Sequence, residues 1–202
     1  MTIKKTQMGQ EVRSRWRARA YVLGKGRDGN EHAYAYCMKS YRFLGSNTDG
    51  MPHVVHIPRS VVAKCKSRIE RVSFHHNHPS FSPLSFGDIA LMGGNPGLHE
   101  VHAHTRVGGH FHARRNGRWR TTWVDRLNAL HIAFALQSQY WKGALNVFTG
   151  ALETHMFCLL LDKCKLIDYQ FSLDASLRAV YNSNEAAMRQ LVDNLAPIGG
   201  KP

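Results

Sequence analysis

His76-Asn77-His78-Pro79, followed by Ser85-Phe86-Gly87-Asp88, places two imidazoles, a proline, a hydroxyl and a carboxylate within thirteen residues. In an extended segment over 72–76 the side chains alternate between faces, so His76 and His78 leave on the same face and can meet at one ion. Pro79 lacks an amide proton and keeps His78 extended, which stiffens the loop. Asp88 offers a carboxylate from the first turn of a following helix. Two imidazole nitrogens and one carboxylate oxygen leave a fourth tetrahedral position open, the pattern of a catalytic metal rather than a closed structural one.

Each of these residues also has a plainer reading. Ser-x-x-Asp ahead of an apolar helix is a capping box, with Ser85 as N-cap and Asp88 reaching back to its amide. The chain holds thirteen histidines, so paired histidines also arise from composition alone. His102/His104 and His110/His112 alternate in the same way on expected strands. They form a candidate second metal pair, but without a helix-borne carboxylate or a proline-fixed loop. His75 points to the opposite face, as does Asn77, to which the pattern gives no role. Hydrolysis at such a metal needs a carboxylate to carry the proton. Three carboxylates are candidates: Glu31, at the start of the first expected strand; Glu70, at a turn six residues before His76; and Glu11, in a basic helix.

This stretch resembles the JAMM (JAB/MPN) metallopeptidase motif, in which His-x-His-Pro and a downstream Ser-x-x-Asp are completed by a distant upstream Glu. The wording His-Asn-His-Pro-Ser resembles above all the RadC-like and phage-associated JAB proteins. The similarity runs over 31–118, with the loop 80–84 one residue shorter than in deubiquitinases. It implies that His76, His78 and Asp88 hold one Zn2+ per chain, that Glu31 is the general base and that Ser85 donates to a tetrahedral oxyanion. The implied activity is hydrolysis of a peptide or isopeptide bond in a protein or peptide substrate, ubiquitin-like proteins included. The implied fold is α/β (α+β), a JAB/MPN-like, cytidine-deaminase-like mixed sheet flanked by helices.

The 202 residues are 43% hydrophobic, enough for one globular domain with elaborations. No run of eighteen apolar residues and no signal-peptide core is present, so a cytoplasmic chain with no membrane partner is expected. Four cysteines without a Cys-x-x-Cys pair read as reduced, buried thiols. The formal charge of +13 points to an anionic partner. Arg13, Arg15, Arg17 and Arg19 flank Trp16, and Arg114, Arg115 and Arg118 precede Trp119. Both groups are candidate nucleic-acid or anion sites, against the alternative of a solvated basic face. A second function class is therefore a RadC-like nucleic-acid-associated protein. A third is a phage or mobile-element assembly or counter-defence factor that holds a partner, or another copy, through C-terminal helices.

Val12, Trp16, Ala20 and Leu23 recur at helical spacing and predict a helix over 8–22. A strand is expected from Glu31 past Cys37 towards Phe43, a turn over 45–52 and a second strand over 53–57. Pro58 then opens a helix over 59–69. A strand over 71–76, a helix over 86–92 and a hairpin of 98–105 with 110–114 follow. Beyond Thr121 long helices are expected, interrupted at Gly150, with a buried apolar run over 152–161, a last helix over 182–195 and a loose tail from 197. The expected organisation is a basic arm (1–27), a catalytic domain (28–120) and a helical C-terminal extension (121–202).

Overall fold

The computed structural model describes residues 2–80, 82–145 and 150–199. Its centre is one six-stranded sheet of β1 (His32–Cys37), β2 (Phe43–Thr48), β3 (Val72–Asn77), β4 (Leu98–His104), β5 (His110–Arg115) and β6 (Ile167–Ser172), in the order β2-β1-β3-β4-β5-β6. Only β3 and β4 run parallel; the other pairs are antiparallel, so the sheet is mixed. Parallel neighbours need a crossover, and helix α3 (Phe86–Gly94) lies within it. The other helices are α1 (Thr2–Lys25), α2 (Arg59–Lys66), α4 (Thr121–Leu145), α5 (Gly150–Lys163) and α6 (Ala175–Leu195).

The two faces of the sheet differ in chemistry because strand side chains alternate. Phe74 and His76 of β3 share a face with Ala33, Ala35, Val101, Ala103 and Phe111, which join the apolar core with α3, α4 and α5. Ser73, His75 and Asn77 share the other face with Glu100, His102, His104 and His112, all buried. Helix α1 lies over this polar face, against β1, β3 and β4. It presents Ser14, Ala18 and Val22, spaced by four, with Arg15 reaching Glu100.

Several expected elements change here. The strand expected to run from Glu31 to Phe43 is a hairpin, turned through Met38–Arg42 with Tyr41 at φ 57°. Half of the expected turn over 45–52 is strand β2, which pairs along β1. Residues 53–57 form no strand, because no partner strand lies beside them. The stripe Val12, Trp16, Ala20 is exposed, since α1 meets a polar surface. The C-terminal segment is not wholly helical: β6 completes the sheet against β5, and α6 begins at Ala175 rather than 182. The apolar run is buried as expected, with Leu152, Met156, Phe157, Cys158, Leu160 and Leu161 in the core. Phe81, residues 146–149 and the tail from 200 lie outside the described residues. Among those described, no helix is long and apolar enough to cross a membrane.

Candidate metal centre

His76 stands at the end of β3, and His78 N–H donates to His104 O at 2.9 Å, extending the ladder one residue past the strand. The two side chains therefore leave on one face, with Nε2 atoms 2.7 Å apart. At that distance one ring carries a proton and donates it to the other. His78 Nδ1 lies 2.9 Å from Ser82 O. Donation of Nδ1–H to this carbonyl turns the Nε2 lone pair towards the site, the orientation that a metal-ligating imidazole takes from its outer partner. His76 Nδ1 is buried with no hydrogen-bond partner.

The antiparallel register Ala33↔His76 carries Glu31, just ahead of β1, to the level of His78. Its Oε1 is 3.9 Å from His78 Nε2. Ligand atoms of Glu31, His76 and His78 all lie within 4.8 Å of one another and could hold a metal ion. Asp88 arrives from α3, with Oδ1 3.1 Å from His76 Nε2 and Oδ2 3.5 Å from His78 Nε2. The capping box is formed as well: Ser85 N–H and Oγ donate to Asp88 Oδ2 at 2.7 and 2.9 Å, and Asp88 N–H donates to Ser85 Oγ at 3.1 Å. Cap and ligand are thus compatible roles: Oδ2 accepts from the cap and also faces His78, while Oδ1 is left to His76.

Burial raises the Glu31 carboxyl above its ordinary value, opposed in part by the two imidazoles. Burial acts the same way on Asp88, but His76 and His78 outweigh it and hold that carboxyl well below the usual range. For His78 burial disfavours the cation, yet Asp88, Glu31 and the Ser82 carbonyl push it up to about 9. Neutral imidazole and carboxylate are the donors zinc takes, and ligands of one zinc ion stand roughly 3.3 Å apart when each is about 2.0–2.1 Å from it. The carboxylate-to-imidazole spacings of Asp88 match that separation; the imidazole pair is closer and must open to admit an ion.

Glu31, His78 and Asp88 border a cleft of about 360 Å3 that His53, Val55 and His56 wall from the irregular segment after β2, with the buried His76 behind them. The sequence pattern places those residues on a strand and gives them no part in the site. It gives none to Asn77 either, whose buried amide donates to Asn30 O at 2.9 Å and accepts from His32 N–H at 2.7 Å. It packs against Gly26, where a Cβ would collide with the amide. Glu70 lies at the other end of β3 and faces Lys64 at 3.8 Å, and Glu11 pairs with Arg15; neither reaches the cleft.

His75, His102, His104, His110 and His112 form a separate, largely buried layer under α1. The rings of His75, His102 and His112 stack across three strands at 3.9 and 4.0 Å. The carboxylate beside them is borne by a strand, not a helix: Glu100 of β4 lies 3.2 Å from His102 Nε2 and 3.3 Å from His112 Nε2, and these three, like His75, His102 and His104, could hold an ion. Glu100, however, also accepts from Arg15 at 3.2 Å and Arg114 at 3.1 Å. The guanidiniums already occupy its charge.

The seven arginines singled out by composition do not share a surface. Arg13, Arg17 and Arg19 are exposed on α1, whereas Arg15 and Arg114 converge on Glu100. Arg115 is buried and donates to the Met92 and Pro96 carbonyls, and Arg118 is exposed beyond β5. Trp123 is a core residue, and Trp119 donates to Gly93 O. Comparison of the chain with protein families, with curated proteins and with solved structures gives no match.

Proposed function

We propose that the chain is a zinc-dependent hydrolase of the JAMM type, on a JAB/MPN-like fold, cleaving a peptide or isopeptide bond in a protein or peptide substrate. One observation carries this reading: Glu31, His76, His78 and Asp88, from three separate segments, converge on one another at the wall of an open cleft that Glu31, His78 and Asp88 border, with His78 Nε2 turned to the carboxylates by the Ser82 carbonyl. His76, His78 and Asp88 would hold the ion. When bound, it supplies Lewis-acid activation of a water and of the scissile carbonyl.

The remaining work falls to the chain itself. Glu31, with its carboxyl raised by burial, takes up a proton and returns it to the leaving amine. The Ser85 hydroxyl lines the same cleft; turned from Asp88, it donates to the oxygen on which negative charge develops. Asn77 fixes the backbone that carries Glu31. The test is metal content by elemental analysis of the parent and of Asp88→Ala, followed by peptide and isopeptide substrates, including conjugates of ubiquitin-like proteins. About one zinc per chain, largely lost in the variant, is the expected result. A parent that takes up no zinc, or a variant that keeps all of it, removes the reading.

A further inference from the structure

A second cleft, of about 570 Å3, opens at the opposite end of the sheet. It is bordered by Arg71 ahead of β3, whereas the metal centre lies at the far end of that strand, at His76 and His78. Five steps separate Val72 from Asn77, roughly 17 Å at about 3.4 Å per residue. The two clefts are independent in position and in lining.

Five cationic side chains border this cleft, Lys39, Arg68, Arg71, Arg115 and Arg118, against the single carboxylate of Glu70. Glu70 is already directed towards Lys64. Among the described residues, no ion pair involves Arg68, Arg71 or Arg118, although acidic partners serve Arg15, Arg114 and Arg189 elsewhere. The Arg68 guanidinium stacks over Trp119 with its carbon 5.1 Å from the ring centroid. Trp119 is itself fixed by its bond to Gly93 O, so the stack holds the Arg68 donors in place. Arg115, 4% exposed, borders the same cleft with its Nε buried and unpartnered. Burial and the neighbouring Arg71 push Arg115 down to about 10, and burial with Arg115 and Arg71 pushes His99 down to about 4. Uncompensated positive charge is therefore concentrated in a concave site, where field lines focus and an anion gains most.

We propose that this cleft binds a phosphoryl group, with Arg68, Arg71 and Arg118 on its oxygens. Guanidinium matches phosphate in two-point geometry, and the three side chains have no acidic partner to give up. The phosphoryl group can belong to a free nucleotide or to a nucleic-acid strand, and the same chemistry recognises both.

Binding of labelled oligothymidylate to the full chain, followed by anisotropy over a salt series, tests this, with AMP as competitor and as a ligand in calorimetry. Arg68→Gln/Arg71→Gln/Arg118→Gln is expected to weaken binding at least tenfold. It should also reduce the log–log salt slope by about 2, at roughly 0.7 per phosphate contact on a single strand. The charge-matched Arg27→Gln/Arg42→Gln/Arg106→Gln, at exposed positions elsewhere, should change affinity by no more than about twofold. Displacement by AMP identifies a nucleotide site, and strand binding that AMP leaves intact identifies a strand site; either supports the cleft. Absence of binding by both probes at low salt, or equal losses in the two triple variants, overturns it. Zinc content enters neither readout, so failure here is distinct from failure of the hydrolase reading.

Discussion

The Asn77 side chain holds the backbone on both sides of Glu31, donating to Asn30 O and accepting from His32 N–H. Because Asn77 lies between His76 and His78, the residue that separates the two imidazoles also sets the position of the carboxylate facing them. Asn77→Ala should therefore keep zinc while turnover falls by about 10²-fold, the effect of a misplacement of about 1 Å at a reacting group. The pH profile of kcat should shift as well, since Glu31 changes its surroundings. Unchanged kcat with an unchanged profile would show that the clamp does not position Glu31.

Glu31 is near enough to both imidazoles to be a ligand, so its role as base needs its own measurement. Glu31→Gln should retain zinc and lose turnover by about 10²–10⁴-fold, the range for a general base. Loss of zinc in that variant would make Glu31 a ligand and leave Asp88 as the cap of α3.

Ser85 is both the N-cap of α3 and a wall of the cleft. Ser85→Ala removes the acceptor for Asp88 N–H, at a cost of about 1 kcal/mol, and should lower the melting temperature by roughly 2–4 °C for a chain of this length. Zinc should remain, because the His76-facing oxygen of Asp88 is not the one Ser85 binds. A fall in turnover of about 10²–10³-fold would mark the hydroxyl as an oxyanion donor; turnover within about threefold of the parent would confine Ser85 to capping.

The paired histidines and Asp88 were legible in the sequence because their geometry is local: a period of two at a strand end and a capping box on the next helix. Asn77 was not, since its partners are backbone atoms of residues 30 and 32, brought alongside only by pairing of β1 with β3. The period locates helix α1 but does not give its buried face. Periodicity selects Val12, Trp16 and Ala20, whereas the sheet surface it meets carries Glu100 and five histidines, so Ser14 and Arg15 turn inward. Strand β6 left a short signal in the alternation of Ile167, Tyr169 and Phe171, lost between two helical patterns. The β-branched run at Val54-Val55 reads as a strand, yet β2 is the sheet edge and nothing pairs beyond it.

The histidine layer makes stability fall on acidification. Burial lowers His102 and His104 well below 6.5 and His110 to about 4, and neighbouring imidazoles add to it. The unfolded chain, with ordinary histidines, then binds more protons than the folded one between about pH 4 and 6.5. Stability from these groups is full above 6.5 and is lost as the pH falls through that window. The raised His78 acts in the opposite sense only above 6.5, so it does not mask the effect. The melting temperature should drop by roughly 5–10 °C between pH 6.5 and 4.5, and less steeply in His110→Gln. A flat profile would mean that the layer is hydrated or already protonated.

Glu100 is fully buried, and it is tolerated there because Arg15, Arg114, His102, His112 and the Tyr36 hydroxyl, the last at 3.4 Å, all face it. Of these, Arg15 alone comes from α1, so this carboxylate ties the N-terminal helix to the sheet. Glu100→Gln removes the buried counter-charge of two guanidiniums that are about a third exposed and keep Glu11 at 2.9 and 3.4 Å, so the loss is smaller than the roughly 3–5 kcal/mol of a fully buried pair. The denaturation midpoint should fall accordingly, and trypsin should cut at Arg13, Arg17 and Arg19 well before the rest of the chain as α1 lifts. Arg15→Gln should release α1 in the same way with a smaller loss of global stability, because Arg114 still serves Glu100. Equal protection of α1 in parent and both variants would show that Ala18 and Val22, rather than the ion pair, hold the helix down.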